Sequence, residues 1–182
     1  MKWWLLYRSD ISRYTEYSRD TSAKQLLTQQ GLWALLPYRI GHWLYNITPP
    51  NLITRALLIF IVIWQKFAEI ITGISLPYTA KIGSGFYIGH FGGIILNGDA
   101  EIGEQCNISQ GVTIGVSGRG TKRGVPKIGS RVYIGANAVV AGLISIGDDV
   151  VRACVHLERE KPPAALWLAW LAPNTIPVGL SI

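Results

Sequence analysis

A chain of 182 residues, 49% hydrophobic and 15% charged, has the length of one domain with a sizeable core and is too apolar for disorder. Its net charge of +6 favours an anionic partner, such as a phosphorylated cofactor or an acidic lipid surface. No window reaches the roughly 18 uninterrupted apolar residues of a spanning helix, and "MKWWLLYRSD" holds an apolar patch too short for a signal sequence, so a cytoplasmic protein is expected.

Residues 1–74 read as a helical N-terminal region. The apolar spacing in "TSAKQLLTQQGLWALLPYRIGHWLY" is helical, and Ser22 with Gln25 matches a capping box. After "PPN" at 49–51 a second segment, "LITRALLIFIVIWQKFAEIIT", runs to Gly73 as its stop and is apolar around much of its circumference. Such a helix must be covered. Burial against another helix or subunit is the first reading; peripheral docking on a membrane, aided by Arg55 and Lys66, is the second. His42, beside Trp43, reads as structural.

From Ile82 the pattern changes. Branched apolar residues recur every six positions at Ile82, Ile88, then Leu96, Ile102, Ile108, Ile114, then Ile128, Ile134, Val140 and Ile146. Glycine often follows the anchor, and a second inward set stands four positions after it: Phe86, Ala100, Cys106, Val112, Val132, Ala138, Ile144 and Val150. A period of six excludes an amphipathic helix and fits very short strands joined by tight turns, stacked into a solenoid about 4.8 Å per rung. Cys106 is then a small core residue. With Cys154 as the one other cysteine and no Cys/His ligand spacing, no metal site is expected.

The period is interrupted twice, by "GHFGG" around His90 and by "VSGRGTKRGVPK" at 116–127, which carries Arg119, Lys122, Arg123 and Lys127. A solenoid tolerates insertions at its corners, where they project outward and can carry chemistry. With three elements to a coil the two insertions fall on different corners, so a threefold homotrimer is expected to bring the loop of one chain against the histidine corner of the next. Pairing of trimers into hexamers is left open. The basic residues cluster in one short loop without interleaved aromatics, which excludes a nucleic-acid reading.

Past Val151 the repeat fails, because Arg152 stands where an aliphatic residue is due. Residues 152–182 are therefore read as an atypical tail, and His156 within it receives no role.

Across residues 78–150, "YTAKIGSGFYIGH", "IGEQCNISQGVTIG" and "PKIGSRVYIGANAVVAG" resemble the hexapeptide-repeat acyltransferases, in particular their serine acetyltransferase-like branch. The resemblance implies a mainly β fold, a left-handed parallel β-helix over residues 75–151, and acetyl-CoA as co-substrate. It implies His90 as the catalytic base, and Ala136 with Gly135, Ser117, Lys122 and Lys127 around the CoA. Histidine suits a base that takes a hydroxyl proton during attack on a thioester, its unperturbed pKa being about 6.5.

Three positions depart from the serine-specific pattern. Ser75 stands where a supporting aspartate is usual, Gly89 replaces an acidic residue, and Gly124-Val125 replaces an Arg-His pair. An amino-acid acceptor brings two charges that need partners when desolvated, whereas a neutral sugar hydroxyl brings none. The expectation is therefore an O-acetyltransferase acting on a sugar or glycan hydroxyl, as in exopolysaccharide synthesis. The alternatives are L-serine as acceptor and a catalytically weak interaction protein.

Overall fold

The six-residue period becomes a three-sided coil. The computed structural model describes residues 2–18, 20–47, 52–152 and 156–157, with backbone alone for 151–152 and 156–157. Most of the expected tail, Cys154 included, lies outside the described residues.

Four helices come first: α1 (Trp3–Ser18), α2 (Ser22–Thr28), α3 (Gln30–Tyr45) and α4 (Leu52–Thr72). The N-cap of α2 is Thr21, whose hydroxyl accepts from the Lys24 amide; Ser22 is already helical, so the capping box expected at Ser22 is displaced by one residue. Gly73 does stop α4. Its amide donates to Glu69 O, and at φ +66° it lies in the left-handed region that glycine enters without steric cost.

The strands follow as β1 (Ile74–Ser75), β2 (Lys81–Ile82), β3 (Tyr87–Ile88), β4 (Ile94–Leu96), β5 (Glu101–Ile102), β6 (Asn107–Ile108) and β7 (Thr113–Gly115). Beyond the basic loop come β8 (Lys127–Ile128), β9 (Tyr133–Ile134), β10 (Val139–Ala141), β11 (Ser145–Ile146), β12 (Val151–Arg152) and β13 (His156–Leu157). Every third strand stacks in parallel, giving a first face β1-β4-β7-β10-β13, a second β2-β5-β8-β11 and a third β3-β6-β9-β12. The first coil starts at Ile74, one strand earlier than the repeat shows in the sequence. Backbone pairing also passes residue 151, because β12 lies beside β9 and β13 beside β10.

All ten anchors from Ile82 to Ile146 are buried, stacked in register from rung to rung: Ile82 on Ile102 on Ile128, and Ile88 on Ile108 on Ile134. Cys106 is buried among them, its thiol donating to Gly129 O, and burial pushes that thiol up. It is a core residue.

Among the described residues, the helices alone lie beneath the lowest coil. Its downward backbone groups are met by four side chains. Tyr38 Oη donates to Ala80 O and accepts from the Ile82 amide; Tyr14 Oη donates to Ile88 O and accepts from the Ile88 amide. Arg39 donates to Ile82 O and Gly83 O, both at 2.7 Å, and Asp10 accepts from the Phe86 amide. Asp10 and Arg39 are themselves joined by two bonds, Nε to Oδ2 at 2.8 Å and Nη2 to Oδ1 at 2.9 Å, with neither side chain exposed. Burial pushes the Asp10 carboxyl up, against the Arg39 bonds and the Phe86 amide that pull it down.

Removing one partner strands a buried charge. Asp10→Leu or Arg39→Met alone is expected to cost about 3–5 kcal/mol, and the double variant less than the sum of the two, read from urea unfolding. Additive losses would contradict the coupling.

Candidate active site

The chain turns from the third face to the first at one corner, and His90 projects there. Its turn, residues 89–93, is held by backbone alone: the Gly89 amide donates to Ile108 O, the Gly111 amide to Gly92 O and the Ile94 amide to Gly73 O. Tyr14 secures Ile88 just before it. His90 and Phe91 are both exposed, and among the described residues the His90 ring has no hydrogen-bond partner. The imidazole thus stands exposed on a turn held by backbone bonds, and nothing among the described residues orients its ring.

The same corner recurs one and two rungs above. Ser109 and Gln110 lie over the histidine turn, and Gly135, Ala136 and Asn137 lie over them. The rungs approach closely: a Cβ on Gly111 would collide with the Asn137 side chain, and Gly111 stands at φ +72°. A side chain there would displace the Asn137 amide and strain the left-handed backbone. At about 4.8 Å per rung, Ala136 is roughly 10 Å from the histidine turn along the corner. Gln110 adds a feature that sequence reasoning missed, since its Oε1 is buried without a partner among the described residues and remains available to a donor.

The basic loop leaves from the opposite edge of the first face, between β7 and β8. It closes as a small hairpin, with Ser117 and Gly124 exchanging amide bonds at 3.2 and 3.1 Å around a short turn at Gly120–Lys122. Arg119, Lys122 and Arg123 are exposed. Lys127 is placed elsewhere, on the outer side of the second face, where its Nζ lies 3.0 Å from Glu101 beside the Lys81 pair. One chain therefore groups His90 with Gly135 and Ala136, and Ser117 with Lys122, and leaves Lys127 in a surface ladder.

The departures from the serine-specific pattern also have structural settings. A Cβ on Gly124 would come within 2.7 Å of Leu143 Cδ1, and Val125 packs against the core, so both positions serve the base of the loop. Ser75 is half-buried and lines a cavity of about 160 Å³ with Gln65, Lys66 and Glu69 of α4. Among the described residues no cluster of three His, Cys, Asp or Glu side chains is placed to hold a metal.

A three-sided coil of stacked hexapeptides with an imidazole free at a bulged corner defines a hexapeptide-repeat acyltransferase fold. No family model matches the chain. It is 40% identical over 125 residues to the serine acetyltransferase of Helicobacter pylori, covering 69% of this chain and 68% of that one. With the enzyme of Mycobacterium tuberculosis it shares 32% over 162 residues, 87% of this chain and 67% of that one. Among solved structures, serine acetyltransferase from Neisseria gonorrhoeae in complex with serine matches with a TM-score of 0.72 at 30% identity, covering 89% of this chain and 64% of that one. The Brucella abortus enzyme in complex with coenzyme A gives 0.67 at 25%, covering 85% and 62%. The chain belongs to the serine acetyltransferase family, and its fold is the left-handed parallel β-helix with helical front that the sequence led us to expect. It spans under two thirds of those two solved chains.

These findings correct the acceptor. The expectation of a sugar or glycan hydroxyl is overturned by relatives that are serine acetyltransferases, one solved with serine, and none of them supports an exopolysaccharide branch. Its physical weakness was that desolvating an amino acid requires partners for two charges without fixing where they stand. The losses at Gly89, Gly124 and Val125 remove three candidate partners and do not by themselves name the acceptor.

The ladder on the second face yields a test. Lys81, and then Lys127, hold the Glu101 carboxyl below the usual carboxylate range. A lowered folded value contributes stability above the ordinary carboxylate pKa, lost as pH falls through the Glu101 value. An NMR titration of Glu101 is expected to move back toward the ordinary range in Lys81→Ala and in Lys127→Ala; an unchanged titration would mean the ladder is absent in solution.

Proposed function

We propose that this chain is a serine O-acetyltransferase, moving the acetyl group of acetyl-CoA to the hydroxyl of L-serine, with His90 as general base. The observation that carries the reading is an exposed, unengaged imidazole at the bulged corner of a chain 40% identical to a serine acetyltransferase. The imidazole takes the serine Oγ proton as that oxygen attacks the thioester carbonyl. The tetrahedral intermediate then collapses, the C–S bond breaks, and the imidazolium returns the proton to the leaving thiolate.

Gly135 and Ala136 form the corner above the base, with small side chains that let a thin pantetheine arm lie along the rungs. The unpartnered Gln110 Oε1 suits an amide donor of that arm or the serine ammonium. Ser117 and Lys122 stand at the far edge of the first face, so their assignment to CoA requires a homotrimer that sets one chain's loop against the next chain's histidine corner. Lys122 acts there as a point charge toward phosphate, as Lys127 would on release from Glu101.

Two outcomes check this reading. Thiol release from acetyl-CoA is expected with L-serine, falling about 10²–10⁴-fold in His90→Ala with the assembly unchanged. Equal turnover in that variant would remove His90 as base. Sedimentation is expected to show a trimer or a multiple of it, and an active monomer would refute the shared cleft.

A further inference from the structure

Helix α4 is packed inside out. Its buried positions are Thr54, Ile61, Ala68 and Thr72, small or polar except for one isoleucine. Its large apolar residues point away from the protein: Leu52 is 83% exposed, Ile63 64%, Phe67 63% and Ile70 82%. Ten large apolar side chains of this one helix are exposed, a concentration that marks an interaction surface. At 100° per residue, Ile59, Ile63, Phe67 and Ile70 share one uncharged arc, with Arg55 and Lys66 together along its border. Lys66 also bonds Glu69 at 2.7 Å.

Two further observations bear on what covers this arc. Residues 1–74 hold eight Lys and Arg against four Asp and Glu, so most of the chain's excess positive charge sits on the helical part. The exposed tryptophans among the described residues, Trp4, Trp33 and Trp43, also belong to that part, on α1 and α3. At 21 residues α4 is about 31 Å long, yet no helix among the described residues is long and apolar enough to cross a membrane.

We propose that α4 lies in the plane of an anionic phospholipid surface, its outward arc in the acyl boundary and Arg55 and Lys66 at the headgroups. A pairing of two helices would bury the arc and leave Arg55 at its border without an anionic partner. An anionic headgroup layer engages the arc and Arg55 together.

The test is flotation of the full chain with vesicles of phosphatidylcholine, with and without one quarter phosphatidylglycerol, alongside sedimentation in the absence of lipid. The chain is expected to float with the anionic vesicles and to be released by high salt. Arg55→Ala is expected to weaken partitioning about fivefold, the ~1 kcal/mol of one basic residue near such a surface. Ile63→Asp/Phe67→Asp should abolish flotation, with the circular dichroism spectrum and acetyl transfer in solution unchanged. Absence of flotation by the parent chain would overturn the proposal. So would loss of mass in the double variant without lipid, which would assign the arc to a second copy of the chain.

Discussion

The structure depends on closing the open edge of the first coil. A parallel β-helix satisfies its backbone only between rungs, so the lowest rung presents a row of unpaired amides and carbonyls, as costly when buried as any orphaned polar group. Here that row is met from below by Asp10, Tyr14, Tyr38 and Arg39, each bonding to the backbone between Ala80 and Ile88. The helical region and the solenoid thus form one core, in which Tyr14, Leu32, Leu35 and Tyr38 pack with Ile82 and Ile88. The buried Asp10–Arg39 pair is tolerated because every strong donor and acceptor on it has a partner, the condition under which burying charge does not unfold a protein.

That closure reaches the site. Tyr14 holds both polar groups of Ile88, and two residues later the chain swings outward at His90. The corner is held in its backbone and free in its side chain, as the base role proposed for His90 requires. The opposite corner on the far side of β2 is handled differently. Gln105, Arg131 and Asp149 occupy left-handed backbone there without being glycine, and Arg131 grips Asp149 at 2.6 and 2.7 Å. That corner carries a side-chain ion pair, whereas the histidine turn is held by backbone bonds.

What was legible in the sequence follows from range. The anchors from Ile82 to Ile146 announce themselves because each rung repeats its neighbour, and His90 stands out because it falls where the repeat is interrupted. The rung at Ile74 escaped because Leu76, Pro77 and Tyr78 obscure its period. The closing network was illegible for another reason: Asp10 meets Arg39 across 29 residues and Phe86 across 76, and no local pattern marks such pairs. The fate of Lys127 was equally hidden, since only the stacked register reveals Glu101 beside it. The acceptor was misread because missing side chains at Gly89, Gly124 and Val125 were given more weight than the likeness of the whole chain.

Native-state hydrogen exchange addresses the closing network most directly. The amides of Ile82, Phe86 and Ile88 donate to side chains of the helical region rather than to another rung. If those side chains seal the coil, the three amides exchange as slowly as those of Tyr87 and Gly89, which donate to the rung above, and open only with the whole molecule. Exchange of the three at the rate of an exposed loop, with the upper rungs still protected, would show that the coil stands without its helical base.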